Sequence, residues 1–455
     1  MRYQRETAMP SIQSFRLIAA ILVAAFIAVW SAGPARAVSL IRDPDIEHAL
    51  ARMAAPILAA AGLGGTVKIL VVNDASLNAF VVDPQHIFIN TGMLMRMDTP
   101  EMLQSVIAHE AAHIANGHIT RRMANMDSAR TAAGLGLALA LAAAAAGAGE
   151  AALGVALGTQ SSAQRQFLAH TRSEEASADQ SGVRYMALAG IDPQGAIDVH
   201  KVFEGQELLT TSRQDPYMRS HPLTRDRLRA MEGFVAAYSG NAKPQPELDY
   251  WYERARGKTS AFMRPTSYTF SRIDDSTHED IREMRLAVAY HRQQDSAKAV
   301  AHIDRALALR PDDAYYYELK GQILLESRQF QSAVKAYGRA HELSPNDPLI
   351  MGGYGRSLLT VKRPADALKQ LEAARSRDFR DIRVLRDLGS AYAQTGQNGM
   401  ASVVTAERYA LQGRLKDAEI HARRAVGALP QGSAAWRRAD DILAAVKRSD
   451  TSRRN

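Results

Sequence analysis

The sequence predicts a mainly α-helical protein with one small β-sheet near its N-terminus and a stack of helical repeats towards its C-terminus. Three observations predict this class. Apolar residues recur at helical spacing over most of the chain. Short apolar runs bounded by turn residues are confined to residues 67–90. Glycines and prolines recur with a 34-residue period beyond residue 310. At 455 residues the chain has room for roughly two to four domains. It contains no cysteine, which excludes a disulfide framework, a thiol nucleophile, thiolate metal sites and a lipid-modified cysteine. The net charge of +8 is spread along the chain and forms no basic block, so no nucleic-acid partner is expected.

Arg2, Arg5 and Arg16 precede an uncharged run from Leu17 to Trp30, and Ala35-Arg36-Ala37 follows. This is the pattern of an export signal: a basic start, a short apolar core and a small-residue cleavage site. Residues 1–37 are therefore read as a signal peptide, cleaved after Ala37. The apolar core is shorter than the roughly 20 residues of a membrane span. Export without a lipid anchor places the mature protein in a bacterial periplasm.

The mature chain opens with a helix over Ile46–Leu63, with Pro56 as a kink point, stopped by Gly64-Gly65. Val67–Val72 reads as a strand. Asn78–Val82 and Ile87–Asn90 read as two more, joined by a turn at Asp83-Pro84. Pro100 then opens a helix from Glu101 to about Gly117. Residues 131–149 carry no charge and consist of ten Ala, four Leu, four Gly and one Thr. So much alanine gains little from lipid, and glycine weakens an isolated helix. Small-residue helices packed on the protein are favoured over a hairpin in the membrane, and 131–158 is the place for a peripheral membrane contact. Helical patterns resume over 164–238. Residues 240–280, with Lys243-Pro244-Gln245-Pro246 and Tyr250-Trp251-Tyr252, read as a linker packed against a neighbour.

Gly321, Gly355 and Gly389 are 34 residues apart, as are Pro311 and Pro345. That is the period of the tetratricopeptide repeat, a helix–turn–helix unit. Tyr317, Gly321, Leu324, Ala333, Tyr337, Ala340 and Pro345 occupy its signature positions. Small residues let the two helices of a unit approach, and larger ones fill the gap to the next. The resulting α-solenoid carries a concave surface suited to peptides or proteins. It spans 281–432, and 433–455 form a last helix and polar tail.

His109-Glu110-Ala111-Ala112-His113 is an H-E-x-x-H motif inside the helix that follows Pro100. Residues i and i+4 share a helix face, so His109 and His113 can ligate one metal ion. Glu110 is rotated about 100 degrees from them, where it can act as a base on the attacking water. A catalytic zinc wants a third protein ligand. Glu174, Glu175, Asp179 and the remaining histidines are the candidates. Glu175 and Asp179 share a face, so Glu175 can ligate while Asp179 orients a ligand histidine. Glu174 is read as solvated. His118, one turn past His113, is read as a neighbour of the ligands or a surface residue.

These residues carry a family resemblance. Asn78-Ala79-Phe80 with Ile87–Leu94, the metal helix continuing through Asn116-Gly117-His118, Arg172-x-x-Glu175-x-x-Ala178-Asp179, and His221-Pro222-Leu223 with Arg227 occur in order over about 70–235. The sequence resembles the zinc metalloproteases related to HtpX and the CAAX prenyl proteases. Within them it is most similar to the periplasmic BepA (YfgC) type, which joins a zincin-type H-E-x-x-H domain to tetratricopeptide repeats. Val81–His86 stand where that family often has paired glycines.

The resemblance implies a zinc endopeptidase over 38–239 with one Zn2+ per subunit. It implies Glu110 as base, ligands His109, His113 and Glu175, His221 as an added ligand that keeps the enzyme latent, and Arg227 as an oxyanion stabiliser. It further implies that Asn78, Ala79 and Phe80 receive substrate as an added strand. Clients would be unfolded or misassembled outer-membrane proteins, with the repeats docking them or the β-barrel assembly machinery. A chaperone or adaptor with rare proteolysis is the competing reading.

Overall fold

The computed structural model describes residues 39–121, 124, 172–210, 213–238, 240 and 242–454. The signal segment 1–37 and the alanine-rich stretch 131–158 lie outside the described residues. Among the described residues no helix is long and apolar enough to cross a membrane.

The helix Pro44–Ala60 begins where the Asp43 carboxylate accepts from the N–H groups of Asp45 and Ile46, and it runs on through Pro56. It covers a sheet of four strands, β1 (Leu40–Ile41), β2 (Lys68–Val72), β3 (Ala79–Asp83) and β4 (His86–Asn90). Their order is β1-β2-β4-β3. β2 and β4 are parallel, whereas β3 pairs antiparallel with β4 and β1 antiparallel with β2. The expected turn is present: the Asp83 carboxylate accepts from the Gln85 N–H at 2.8 Å. β1 and β3 are therefore the two edges. Ile87 and Ile89 alternate inward and are fully buried, as a one-sided sheet requires.

The helix Pro100–Ala115 lies under this sheet. Thr99 caps it, Pro100 starts it, and Met102–Ile114 are all buried. It is the centre of the N-terminal core, shared with Leu50, Met53, Ile57, Met93 and Met186. The helix 172–188 crosses it closely. A Cβ at Gly182 would lie 3.3 Å from the backbone nitrogen of His109, so glycine sets that approach.

The stretch read as a linker holds the helix Pro246–Met263, which packs on both Pro44–Ala60 and the first repeat helix, Glu279–Arg292. The repeats follow as Glu279–Arg292 with Ser296–Leu309, Ala314–Glu326 with Phe330–Leu343, Pro348–Thr360 with Pro364–Arg377, and Ile382–Gln394 with Asn398–Leu411. Leu415–Ala428 and Ala434–Arg454 close the stack. Within each of those repeats the inter-helix turn passes through positive φ, at Gln294, Arg328, Lys362 and Gly396.

Candidate metal centre

His109 and His113 project from successive turns of Pro100–Ala115, with their Nε2 atoms 3.1 Å apart. Glu175, near the start of helix 172–188, places Oε2 3.3 Å from His109 Nε2 and Oε1 3.3 Å from His113 Nε2. His221, just after the short helix Pro216–Ser220, places Nδ1 3.2 Å from His109 Nε2 and 2.8 Å from Glu175 Oε2. One donor atom from each of these four buried residues falls within 4.8 Å of the others.

Four ligand atoms held about 2.0–2.1 Å from a tetrahedral ion lie roughly 3.3–3.4 Å from one another. The separations of 3.1, 3.2 and 3.3 Å are close to those edges, and the 2.8 Å between Glu175 and His221 is shorter. Three imidazoles and a carboxylate are also the donor types that divalent first-row metals prefer. The residues therefore fit a metal ion. His221 adds a fourth donor atom to those of His109, His113 and Glu175.

Asp179, one turn beyond Glu175, sets Oδ1 3.1 Å from His109 Nδ1, the contact that orients a ligand imidazole. Arg227 grips the same carboxylate with two bonds, Nε to Oδ2 at 2.7 Å and an Nη to Oδ1 at 2.8 Å. Its other Nη donates to the Pro222 carbonyl at 2.7 Å. The guanidinium that resemblance assigns to an oxyanion is thus tied to Asp179 and to the His221 loop, with one nitrogen 3.4 Å from Glu175. Glu110 is fully buried beside the cluster, its Oε1 3.4 Å from His221 Nε2.

The electrostatics follow from this geometry. Burial pushes His109 down, but the Asp179 and Glu175 carboxylates outweigh it and raise its pKa to about 10. Burial lowers His113 to about 3, with positive neighbours His109 and His221 adding to it. Burial opposes ionisation of Glu175, yet the surrounding histidines hold its carboxyl well below the usual range. Asp179 is likewise held at about 2 by His109 and Arg227 against its burial. His109 is thereby held in its protonated form near neutral pH, and metal binding must displace that proton.

Two expectations at this site are corrected or extended. Glu174, expected to be solvated, is only 5% exposed, because the start of helix 172–188 tucks it inward with Arg121 at 3.9 Å. His118 is buried, and its Nδ1 lies 3.0 Å from His113 Nδ1. Sequence reasoning did not single out Tyr217, whose ring is 4.7 Å from that of His221. His200, named there only among the remaining histidines, is buried against the Asp179–Arg227 side and held at about 4 chiefly by burial. Their only signal was position: Tyr217 is one turn before His221, and nothing in the spacing marked His200. Ala79 and Phe80 lie on β3, the sheet edge that packs on the metal helix, and the Asn78 carbonyl accepts from the Asn90 N–H at 2.9 Å.

Residues 41–235 match the model of peptidase family M48. The chain carries an M48 peptidase domain. It is a metalloendopeptidase, with tetratricopeptide repeats matched at 284–348 and 324–388. The M48 domain and its repeats are similar to the beta-barrel assembly-enhancing protease of Escherichia coli strain K12, at 23% identity over 76% of this chain and 72% of that one. A putative beta-barrel assembly-enhancing protease of Vibrio cholerae is 25% identical over 82% of this chain and 78% of its own. The corresponding Yersinia pestis protease is 24% identical over 79% and 76%. Among solved structures, MamA overlays 36% of this chain and 96% of its own, at 18% identity and a TM-score of 0.31.

Proposed function

We propose that the protein is a zinc-dependent endopeptidase of the bacterial cell envelope that acts on unfolded or misassembled outer-membrane proteins. The observation that carries the reading is the buried constellation of His109, His113, Glu175 and His221 around the H-E-x-x-H helix. The client class rests on the relatives' names, which say they enhance β-barrel assembly. The envelope location rests on the export pattern of residues 1–37. In this reading residues 38–239 are the peptidase, 281–432 the repeats, and the repeats hold clients or the assembly machinery.

His109, His113 and Glu175 would hold the zinc ion. When bound, it would polarise the scissile carbonyl and bring the pKa of water towards about 7. Glu110 takes the proton from the attacking water and returns it to the leaving amine. Asp179 fixes the His109 ring, and Arg227 locks Asp179. β3 receives the substrate backbone as an added strand, which suits extended chains.

The fourth donor atom that His221 brings to the cluster favours a second, compatible reading: proteolysis is latent, and the protein chiefly serves as a chaperone or adaptor. One experiment separates these. Residues 38–455, Glu110→Gln and His221→Ala are compared for cleavage of unfolded casein, for suppression of its aggregation, and for bound zinc. Glu110→Gln should keep about one zinc and lose cleavage by roughly 10²–10⁴-fold. His221→Ala should cleave faster while retaining metal. Zinc-free protein in every case would sink the site. Aggregation suppression that disappears in folded Glu110→Gln would sink the chaperone reading.

A further inference from the structure

A cavity of about 440 Å³ opens between the N-terminal end of the sheet and the concave face of the repeats. It lies within the roughly 300–1,000 Å³ usual for ligand pockets. Glu318, on Ala314–Glu326, lines it. That residue is 7% exposed, and its Oε2 accepts no hydrogen bond from the protein. The other oxygen meets only a long contact, from the Tyr337 hydroxyl at 3.5 Å. The Tyr337 ring is pinned: a Cβ at Gly321 would meet it at 2.7 Å and one at Gly353 at 2.4 Å. Two glycines from neighbouring helices thus hold the tyrosine against the carboxylate.

The other lining charges are already paired. Arg356 donates to Asp387 at 2.8 Å, Arg383 bridges Asp381 at 3.1 Å, and Glu326 holds His291 at 2.7 Å. Arg42 is held by Asp378 at 2.6 Å. Glu318 is left as the lining carboxylate with an oxygen to offer. A carboxylate in this state gains from an incoming cation. One carboxylate and a phenol supply too few oxygens for calcium or magnesium. An organic cation on a long stem is the better match.

The surroundings indicate what the stem belongs to. Leu40 and Ile41 of β1 line the same cavity, and among the described residues β1 is an edge strand paired with β2. An edge offers its free backbone groups to an extended peptide. Phe262, Met263 and Leu325 add apolar wall. We infer that this cavity binds an extended peptide that inserts a lysine or arginine side chain against Glu318. The subsite is separate from the metal centre and does not depend on catalysis. Consistent with it, burial pushes the Glu318 carboxyl up to about 8 despite the nearby Lys258, so a closer cation would relieve a strong bias against its charge.

The test uses residues 38–455 with Glu110→Gln, so that peptides are retained. Immobilised protein is offered an equimolar set of acetylated nonapeptides with random flanks and a central lysine, arginine, norleucine or glutamate. Bound peptides are counted by mass spectrometry. Lysine and arginine should be enriched over norleucine by about tenfold, the effect of a charge-assisted hydrogen bond. Adding Glu318→Gln should bring that ratio close to one, whereas adding Glu326→Gln should leave it. Equal recovery of lysine and norleucine peptides on the Glu318 protein overturns the inference without reliance on any variant of the cavity. So does an enrichment that survives Glu318→Gln with unchanged thermal melting. Displacement of the peptides by n-butylamine at equal concentration would assign the cavity to small amines and overturn the peptide occupant.

Discussion

His118 sits behind His113, imidazole against imidazole, at 3.0 Å. His109 instead leans on the Asp179 carboxylate at 3.1 Å. The two histidines proposed as ligands are therefore held by partners of different basicity. A ligand imidazole whose support is lost turns more freely and binds metal less tightly. His118→Ala should weaken metal affinity by roughly 10–100-fold, read by competition with a chromogenic chelator on folded protein. An unchanged affinity would leave His118 as packing alone. The metal motif itself was legible, since i and i+4 on one helix is a local rule. Arg227 was legible only as a resemblance, and its attachment to Asp179 and Pro222 comes from a fold that returns the chain across helix 172–188.

At the scale of elements, the junction of β4 with the helix Thr91–Arg96 decides how β3 meets the metal helix. Gly92 is the tight point: its N–H donates to the Asp74 carbonyl at 3.0 Å. A Cβ there would lie 2.1 Å from the Ala75 carbonyl oxygen, so the loop before β3 would have to move. Gly92→Ala should cost about 1–3 kcal/mol in reversible denaturation and lower peptidase activity through displacement of the edge strand. Retention of both would show that the loop yields freely. The repeats were readable because their period is local. Their turns were not, since Gln294, Arg328 and Lys362 take the positive φ that Gly396 takes at the same place. The helix Pro246–Met263 was hidden by its prolines and charges, which suggested a linker. Its polar groups are buried because they have partners elsewhere in the fold.

Those partners act across the whole molecule. Arg254 is fully buried, bridging Asp45 at 2.7 Å and Asp313 at 2.5 Å, with its guanidinium 3.9 Å from the Tyr316 ring centre. Lys258, also fully buried, meets Asp43 at 2.9 Å. This ionic seam joins the first helix of the peptidase to the repeats. Arg254→Ala would leave Asp45 and Asp313 without their shared cation, and should cost about 3–5 kcal/mol, seen as a lowered melting temperature of the whole chain. A neutral outcome would mean that water replaces the guanidinium.

His48 lies on the same seam, its ring 4.9 Å from Trp251 and 4.6 Å from Tyr315. Burial, then Arg254, lower its pKa from 6.5 to about 4. The unfolded chain takes up this proton near 6.5 and the folded chain only near 4, so unfolding gains from acid in that window. The contribution is complete above 6.5 and declines as pH falls towards 4. Melting of His48→Gln between these values should depend less on pH than that of the unchanged protein. Parallel slopes would assign the acid sensitivity to other groups.

The sequence by itself determined the local matters: a helix carrying the H-E-x-x-H motif, a second helix with an acid pair, short strands before them, and a repeat with a fixed period. Each follows from spacing along one element. Only the tertiary structure decided what those elements bring together. It set His221 against Glu175, bound Arg227 to Asp179, buried Glu174, and left Glu318 on a cavity wall with one oxygen that accepts no hydrogen bond. These depend on helix crossings and chain returns between residues far apart in sequence. Burial and pairing of charge are properties of the packed whole, and no local pattern encodes them.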